Sequence, residues 1–254
     1  MNTVTITRVA PARWEAVADD RIVGRGDLSQ RPDGRRFISI DVWQGAVFDE
    51  LAAAMLADLP EQLHTVVGEA DHDLRASWER LGFTVGRRER EYDLPTDVRE
   101  TGLGGLRLPP DVTILPAGAA DESLLRALDR AIREEVEATV GWRTMPAEVL
   151  PLPAGSLPVD PAKYATAVRG GEYVGLVRVA RVRRRARIGL LAVRADHRRH
   201  GIGRALLAHA LGALHRDGVE SAWAEVDESN AAAIALVEGA GARRSGGCLE
   251  LVRR

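Results

Sequence analysis

Apolar residues in the second half of the chain recur first at helical spacing and then in short runs typical of strands. A helix is predicted after Asp121, whose side chain can cap it, because apolar residues follow it three and four positions apart. Three apolar runs come later, at 164–169, 173–182 and 188–193, and glycine or arginine turns separate them. This pattern predicts an antiparallel meander of three strands joined by hairpins.

The chain then returns to helical spacing before its last strands. One helix begins near Gly203 and carries a single apolar stripe, and a strand at 222–226 follows it. A short helix begins near Asn230 and stops at a glycine that can take the left-handed conformation, before a final strand at 249–252. Antiparallel strands followed by a crossover helix and another strand predict an α+β (mixed α/β) fold. Its mixed, mostly antiparallel, twisted sheet would be flanked by helices.

The first half of the chain repeats this order in abbreviated form. The apolar start at Val4 resembles the start at Val112, and the helix end at Gly82 resembles the one at Gly241. The first helix and the long loop of the second copy have no counterpart in the first copy. A stretch rich in glycine and proline separates the copies and has the composition of a linker. The expected division is a truncated domain at 1–95, a linker at 96–110 and a second domain at 111–254.

The composition excludes several classes of function. A chain of 254 residues and 27.5 kDa forms one large domain or two small ones. Its 35 basic and 37 acidic residues give a net charge of −2, which argues against a nucleic-acid binder. No apolar run approaches the about 18 residues of a membrane span, and the first residues lack a signal-peptide pattern. The sequence thus predicts a cytoplasmic protein without nucleic-acid or membrane partners.

Cysteine and histidine usage argues against a metal site. Cys248 is the only cysteine, so the chain cannot form an internal disulfide or a cysteine-based zinc site. His209 and His215 are six residues apart and do not share a helix face at the spacing of metal ligands. No metal is therefore expected.

The most informative segment runs from a strand end at Val193 through a basic loop into an amphipathic helix. Gly201 and Gly203 open that helix, whose first N–H groups are unpaired and carry partial positive charge. The glycines leave the backbone open to a pyrophosphate, and the neighbouring arginines add charge and forked donors. The alternative is a solvated helix start with turn glycines. The order of strand, loop, glycines and helix favours phosphate binding.

The spacing Arg198-x-x-Gly201-x-Gly203 resembles the acetyl-CoA signature of the GCN5-related N-acetyltransferase (GNAT) superfamily. The helix that begins near Asn230 is similar to the short helix after the family's fifth strand. The resemblance covers 111–254 with good specificity and the first copy more weakly. The whole chain resembles tandem-GNAT proteins with a degenerate N-terminal copy, and each copy is expected to have the family's fold.

The resemblance implies direct transfer of an acetyl group from acetyl-CoA to an amine, without a covalent enzyme intermediate. The pantetheine arm of this cosubstrate would pair with the strand at Leu191, Ala192 and Val193, whose exposed N–H groups would polarise the thioester carbonyl. Asn230 would lie beside that arm. The pyrophosphate would be held by Arg198, Arg199, His200, Gly201, Ile202, Gly203 and Arg204.

Two departures from the family's pattern bear on catalysis. The family often has a tyrosine seven residues after the asparagine, as acid for the leaving thiolate, and here that position is Val237. Water can protonate the thiolate instead, since a thiol has a pKa of about 8.5. The first copy runs from its strand at 38–42 almost directly into a helix and lacks the basic loop. We expect it to pack against the second copy or to shape the acceptor cleft.

Glu225 is the candidate general base. Trp223 and Glu225 alternate with small residues that suit packing under a helix, so Glu225 would face the other side of the strand, near the thioester. Partial burial would raise its pKa toward the range useful for a base. The alternative is a structural carboxylate paired with one of the many arginines.

Three glutamates of the first predicted helix and a proline-rich loop are candidates for acceptor binding. Glu134, Glu135 and Glu137 could attract a cationic amine, or they could form a plain exposed helix face. The loop at 142–161 contains five prolines and would shape the acceptor site.

Two functions fit these observations. The first is an N-acetyltransferase that uses acetyl-CoA on a primary amine of a small molecule or peptide, as a monomer or homodimer. The second is a non-catalytic acyl-CoA-binding protein, such as a sensor or assembly subunit. The missing tyrosine and the degenerate first copy favour the second function, whereas the intact basic loop and the acidic residues near the cleft favour the first. The sequence therefore predicts the N-acetyltransferase, with the binding protein as the alternative. Thioester cleavage that depends on an added amine distinguishes the two.

Overall fold

The computed structural model describes residues 4–31, 34–43, 45–59, 62–105, 108–139, 141, 159–182 and 185–254. The chain divides into two compact units. One comprises Met1–Arg88 together with Gly247–Arg254, and the other comprises Glu89–Gly246. The described residues form five α-helices and twelve strands, so the mixed helix and strand content predicted from the sequence is confirmed.

The unit that holds the start of the chain is built on an antiparallel meander. Its elements are β1 (Thr5–Ala10), β2 (Arg13–Ala18), β3 (Arg21–Gln30), β4 (Arg36–Val42), α1 (Ala46–Asp58), β5 (Leu63–Gly68) and α2 (His72–Arg80). Neighbouring strands from β1 to β4 pair antiparallel, and β4 pairs parallel with β5. The helix α1 crosses from β4 to β5, as a parallel connection requires.

Aromatic side chains form the centre of this unit's core. The ring of Trp78 on α2 contacts Phe48 of α1 and Phe83 edge to face, with ring centroids 5.0 and 4.9 Å apart. All three rings are buried, so they form the apolar centre of the core of this unit. The helix α2 begins after Asp71, whose side chain accepts a hydrogen bond from the Leu74 N–H at 3.1 Å.

The second unit forms a mixed sheet in which one strand pair is parallel. Its elements are β6 (Thr84–Pro95, here from residue 89), β7 (Val112–Leu115), α3 (Glu122–Ala138), β8 (Tyr164–Arg169), β9 (Glu172–Val182), β10 (Arg185–Val193), α4 (Ile202–Arg216), β11 (Ser221–Asp227), α5 (Ala231–Glu238) and the start of β12 (Arg243–Arg253). The strand order within the unit is β7-β8-β9-β10-β11-β6. The β10–β11 pair is parallel and the other pairs are antiparallel.

The helices α3 and α4 cover opposite faces of this sheet. Tyr164 packs with α3, whereas the next residue of the same strand, Ala165, packs with α4. Successive strand residues face opposite sides, so the two helices must lie on different faces. The buried contacts of α3 are Leu125, Leu128, Ile132 and Val136, and those of α4 are Ile202, Ala205, Leu206, Leu207, Ala210, Leu211 and Leu214.

The last strand of the chain pairs differently from what chain order suggests. Residues 248–253 of β12 pair antiparallel with β5 in the first unit, and the strand beside β11 in the second unit is β6. A buried charged cluster accompanies this pairing, in which the Glu250 carboxylate lies 2.9 Å from His64 and is paired with Arg35. Burial acts to raise the pKa of Glu250, but the His64 hydrogen bond and the Arg35 charge outweigh it and hold that pKa below its usual value.

The stretch expected to link the copies packs as part of the second unit. The hydroxyl of Thr96 donates to the backbone carbonyl of Val219 at 2.6 Å, and Leu103 is buried in the core under α4. The glycines and prolines around Leu103 shape turns, while its apolar side chain anchors the segment. The limits of the two sequence copies, at 95 and 111, stay a prediction.

Candidate functional site

The strand β10 separates from its neighbour β11 at its carboxyl end. It pairs with β9 along its whole length, from Arg185 opposite Val182 to Val193 opposite Gly175. Its parallel pairing with β11 consists of Ala186 with Ala222 and Arg187 with Trp223. Within the described part of the chain, residues 190–193 are thus paired on the β9 side alone. The backbone predicted to bind a pantetheine arm therefore has an open edge.

A bulge accounts for this separation. The register between β10 and β9 shifts between Ile188 and Leu190, which leaves Gly189 as an extra residue. Before the bulge, Ile188 packs in the core under α4, whereas after it Leu191 and Val193 face that core and Leu190 faces α3. Bulges bend a strand and increase its twist, which turns the end of β10 away from β11.

The loop after β10 curls back so that α4 begins beside the open edge. The Arg194 N–H donates to the Val174 carbonyl at 2.9 Å, and residues 195–197 form one 3-10 turn. Arg199 and Gly201 then take the left-handed conformation, with φ of 67° and 80°. This conformation suits glycine and is uncommon for arginine, so the strain at Arg199 is compatible with a functional constraint.

The helix α4 starts without a side-chain cap. Gly201 is its N-cap residue, and the first intrahelical bond runs from the Ala205 N–H to the Gly201 carbonyl at 3.0 Å. The N–H groups of the first turn therefore have no acceptor within the helix. Together with the helix dipole, they form a site suited to a phosphate group, as the sequence predicted.

Gly203 faces a groove between three elements. A Cβ atom on this residue would lie 3.5 Å from Leu191 Cδ2, 3.8 Å from Val193 Cγ2 and 4.0 Å from Leu236 Cδ2. These atoms belong to β10 and α5. The glycine thus keeps open the space between the free edge of β10, the start of α4 and the side of α5.

The predicted cofactor residues fall into three groups in the structure. Leu191, Ala192 and Val193 supply the open edge of β10. Ile202 lies at the start of α4, and its apolar side chain is buried in the core. Only its backbone is therefore available to a ligand. The exposed side chains around the loop are Arg198, Arg199, His200 and Arg204.

Asn230 and Val237 have structural roles at α5. The Asn230 side chain caps this helix by accepting a hydrogen bond from the Ala233 N–H at 3.1 Å. Val237 is buried in the core together with Tyr92 of β6. Burial and a 2.8 Å hydrogen bond to Glu238 raise the pKa of Tyr92, whose hydroxyl is thereby committed to that carboxylate. The contact of Asn230 with a cofactor arm stays a prediction.

Glu135 connects α3 to the basic loop. Its Oε2 accepts hydrogen bonds from the Ala195 N–H at 2.8 Å and from Arg198 Nη2 at 3.3 Å. Arg198 also donates through Nε to the Val193 carbonyl at 3.0 Å. Glu134 and Glu137 are exposed. Of the three glutamates that the sequence pointed to, Glu135 therefore reaches the loop, and the other two lie on an exposed helix face.

We expect Glu135→Ala to weaken acetyl-CoA binding about threefold to tenfold, because the loop loses two hydrogen bonds that hold it in place. Charge-assisted bonds contribute about 1.5–3 kcal/mol, and partial exposure of both side chains reduces that figure to about 1 kcal/mol. Calorimetric titration with acetyl-CoA measures the effect. Glu135→Gln keeps an acceptor for the Ala195 N–H and should recover part of the affinity. Glu134→Gln is the matched control, and tighter binding by Glu135→Ala would contradict an ordering role.

Glu225 lies on the face of β11 that the sequence predicted. Ala222, Ala224 and Val226 are buried under α4 and α5, and Glu225 points to the other side. There its carboxylate is paired with Arg187 of β10, and Glu91 of β6 lies opposite it. The structure therefore contains the arginine partner that the sequence left open as the alternative. A role as base stays a prediction.

The signal for Arg187 was present in the sequence but ambiguous. Arg187 belongs to a run of arginines between two predicted strands, a pattern that fits a solvated hairpin tip better than a docking site for a ribose phosphate or an acidic acceptor. Two residues of that turn, 183 and 184, lie outside the described residues, as do residues 142–158 of the proline-rich loop. Alternation along β10 would have placed Arg187 on the face of Glu225, had the strand pairing been known.

Two features of the described residues concern metals and membranes. No group of three histidine, cysteine, aspartate or glutamate side chains in this part of the chain is arranged to hold a metal ion. No helix in the same part is long and apolar enough to cross a membrane.

One family model matches the part of the chain that contains these residues. Residues 128–242 match the model of the acetyltransferase (GNAT) family. The matched segment includes the open edge of β10, the basic loop, β11 and α5. It also begins inside α3, so Glu135 belongs to it.

Curated relatives match a shorter part of the chain. The ribosomal protein bS18-alanine N-acetyltransferase of Escherichia coli (strain K12) is 53% identical over 51 residues, which are 20% of this chain and 34% of that protein. The enzyme of the same name from Salmonella typhimurium is 51% identical over 51 residues. The chain thus spans about a third of the length of these curated relatives.

Solved structures match nearly the whole chain. A GCN5-related N-acetyltransferase from Sphaerobacter thermophilus superposes with a TM-score of 0.71 at 19% identity, covering 97% of this chain and 82% of that one. A tandem GNAT protein from the clavulanic acid biosynthesis pathway gives 0.67 at 17% identity, covering 95% and 83%. At sequence identities this low, such matches show a similar fold and nothing about activity. They confirm that the chain has the GNAT-like fold expected from the sequence.

Proposed function

We propose that the chain is an N-acetyltransferase that moves an acetyl group from acetyl-CoA to a primary amine of a small molecule or peptide. The observation that carries the proposal is the open edge of β10, which ends beside an uncapped helix start. An extended arm can add to that edge as a strand would. A pyrophosphate can then meet the N–H groups of the first turn of α4.

In this proposal the basic loop binds the charged end of the cosubstrate. Arg198, Arg199 and Arg204 are exposed around the first turn of α4 and supply positive charge. Gly203 leaves room for the close approach of the phosphates, since a Cβ there would point into the groove. Leu191 and Val193 line the same groove with apolar surface.

The reaction needs little covalent chemistry from the protein. The amine nitrogen attacks the thioester carbonyl carbon and forms an amide, and the C–S bond breaks. The amine loses one proton, and the thiolate that leaves gains one. Backbone N–H groups at the open edge of β10 stabilise the developing oxyanion. Glu225 accepts the amine proton directly or through water, and water returns a proton to the thiolate.

We also propose that the chain is a tandem arrangement with a degenerate first copy. In the first unit, β4 ends at Val42 and α1 begins at Ala46, whereas β10 ends at Val193 and α4 begins at Ile202. The short connection leaves no segment to wrap a pyrophosphate. The match to a solved tandem GNAT protein supports this arrangement.

The test is acetyl-CoA cleavage by the purified chain with and without a library of primary amines. We expect free thiol to be released only when an amine is present, together with an N-acetylated product detected by mass spectrometry. Acetyl-CoA binding without release for any amine would favour the non-catalytic acyl-CoA-binding protein. An absence of acetyl-CoA binding would overturn the proposal.

A further inference from the structure

The sheet face under α3 carries polar side chains next to the open edge of β10. Tyr164 of β8 lies opposite Arg178 of β9, and Arg178 lies opposite Leu190 of β10. Tyr164 and Leu190 pack against α3, so Arg178 between them faces the same side. This row of three residues leads directly to the start of the open edge at residue 190.

The guanidinium of Arg178 lies at the bulge. A Cβ atom on Gly189 would be 3.5 Å from Arg178 Nη1, which places this cation beside the residue where β10 leaves β11. Within the described part of the chain, no carboxylate lies within ion-pair distance of Arg178. Nearby basic side chains differ in this respect, because Arg187 is paired with Glu225 and Arg133 with Asp129. Arg178 is thus a half-buried positive charge available to a ligand.

Two buried oxygen atoms on the same layer also lack hydrogen-bond partners within the described residues. Thr166 is fully buried, and its Oγ1 has no partner. It lies opposite Leu176, which packs against α3, so its hydroxyl faces the same side as Arg178. Asp129 lies on the inner stripe of α3 and is 9% exposed; its Oδ2 accepts from Arg133 Nε at 2.6 Å, whereas its Oδ1 has no partner. Buried polar atoms without partners are rare in folded proteins and call for a ligand or water.

Tyr164 shows that these groups share one environment. Burial raises the pKa of its hydroxyl, and the charges that act on it are those of Arg178, Asp129, Arg133 and Asp160. Asp160 is balanced by Lys163, 3.4 Å away, and Asp129 is balanced by Arg133. The layer between α3 and the sheet therefore holds a positive charge on Arg178 together with unused hydrogen-bonding oxygens.

We propose that this layer binds the acceptor and that Arg178 selects amines that carry a carboxylate. The inference rests on the proposed function, because it assigns the acceptor class of the same site. The guanidinium fork matches a carboxylate, and the Thr166 hydroxyl on the same face can donate a further hydrogen bond to it. Glu225 lies on the same face of the sheet, where it can receive the reacting amine. An amino acid can therefore bind with its carboxylate at Arg178 and its amine at Glu225.

The experiment compares amino acids with their uncharged amides on the full chain. Glycine, β-alanine and 4-aminobutyrate are each assayed beside glycinamide, β-alaninamide and 4-aminobutanamide, so that the acidic group is removed at three distances from the amine, and the rates are compared per unprotonated amine. We expect kcat/KM for at least one acid to exceed that for its amide by about tenfold or more, because KM is lower. A tenfold difference corresponds to the contribution of one well-paired charged hydrogen bond. Arg178→Gln should remove this preference, and Arg178→Lys should retain part of it. Arg130→Ala, an exposed arginine on α3, is the control.

Direct binding keeps this inference separate from the proposed function. Calorimetry with the best acid in the presence of acetyl-CoA should show binding that Arg178→Gln loses while acetyl-CoA affinity is unchanged. Equal use or binding of acids and amides by the unchanged chain, or a preference that survives Arg178→Gln, would overturn the inference. Acid binding that depends on Arg178 without any acetylation would support the acceptor site and count against the enzyme.

Discussion

Gly203→Glu should abolish acetyl-CoA binding, with an affinity at least about 100-fold lower than that of the unchanged chain, equivalent to about 2.7 kcal/mol. The new side chain would enter the groove that Leu191, Val193 and Leu236 border at 3.5–4.0 Å. Its carboxylate would also stand where the N–H groups of α4 await a phosphate, so bulk and charge act in the same direction. Calorimetric titration with acetyl-CoA measures the loss.

Two variants at the same position separate loss of binding from loss of fold. Gly203→Ala places a methyl group at ordinary contact distances, and alanine favours the helix, so this variant should fold and bind within a few-fold of the unchanged chain. Gly203→Gln tests bulk without charge. A glutamate in the first turn is itself favourable for the helix dipole, so Gly203→Glu should also fold. A folded Gly203→Glu chain with unchanged affinity would remove this loop from the cofactor site.

The parts of the fold that the sequence predicted well depend on local signals. The cap predicted at Asp121 is a single side chain that accepts hydrogen bonds from the backbone N–H groups two and three residues ahead, and the helix predicted to begin near Asn230 starts at Ala231. The alternation in β11 that directs Glu225 away from α4 is likewise visible within seven residues. The basic loop was recognisable because strand, glycines and helix occur in one short stretch.

The parts that escaped prediction depend on residues far apart in the chain. The apolar pattern at 249–252 identifies a strand, but its neighbour is β5, nearly two hundred residues earlier, and a buried charged cluster around Glu250 accompanies that pairing. The bulge at Gly189 was also not predicted, because a glycine within a strand can mark a bulge, a bend or a close approach of another backbone. Because the bulge was not recognised in the sequence, the separation of β10 from β11 could be expected only from the resemblance to the family.

Side-chain partners were the least predictable feature of the site. Glu135 reaches the basic loop across 60 residues of chain, and Arg187 reaches Glu225 across 38. Arginines occur throughout this sequence, so composition offered many partners for each carboxylate and selected none. The strand register determines which arginine pairs with which carboxylate, because it sets which side chains lie side by side on one face of the sheet.

Glu225→Gln should lower turnover about 100-fold or more, in line with the contribution of a general base, while acetyl-CoA affinity is unchanged. The substitution keeps the shape of the side chain and removes its ability to take a proton. Steady-state kinetics with a saturating amine measures the turnover, and calorimetry measures the affinity. Glu91→Gln is the matched control, because Glu91 lies opposite Glu225 on β6 and faces the same side of the sheet.

The pairing of Glu225 with Arg187 sets up a competing outcome. A carboxylate that accepts a hydrogen bond from a guanidinium holds its negative charge and is a weaker base than a free one. If the pair is only structural, Glu225→Gln and Arg187→Gln should lower the free energy of unfolding by similar amounts. In that case the remaining turnover would have the same pH dependence as the unchanged chain.

The pH–rate profile decides between these outcomes. A base must be deprotonated to act, so the rate of the unchanged chain should fall as the pH drops through the titration of that base. If Glu225 is the base, this acidic limb should be absent from Glu225→Gln and present in both Arg187→Gln and Glu91→Gln. In Arg187→Gln it should shift to higher pH, because loss of the neighbouring positive charge makes the carboxylate easier to protonate. An acidic limb that persists unchanged in Glu225→Gln, at near-normal turnover, would assign the proton transfer to water or to the acceptor layer under α3.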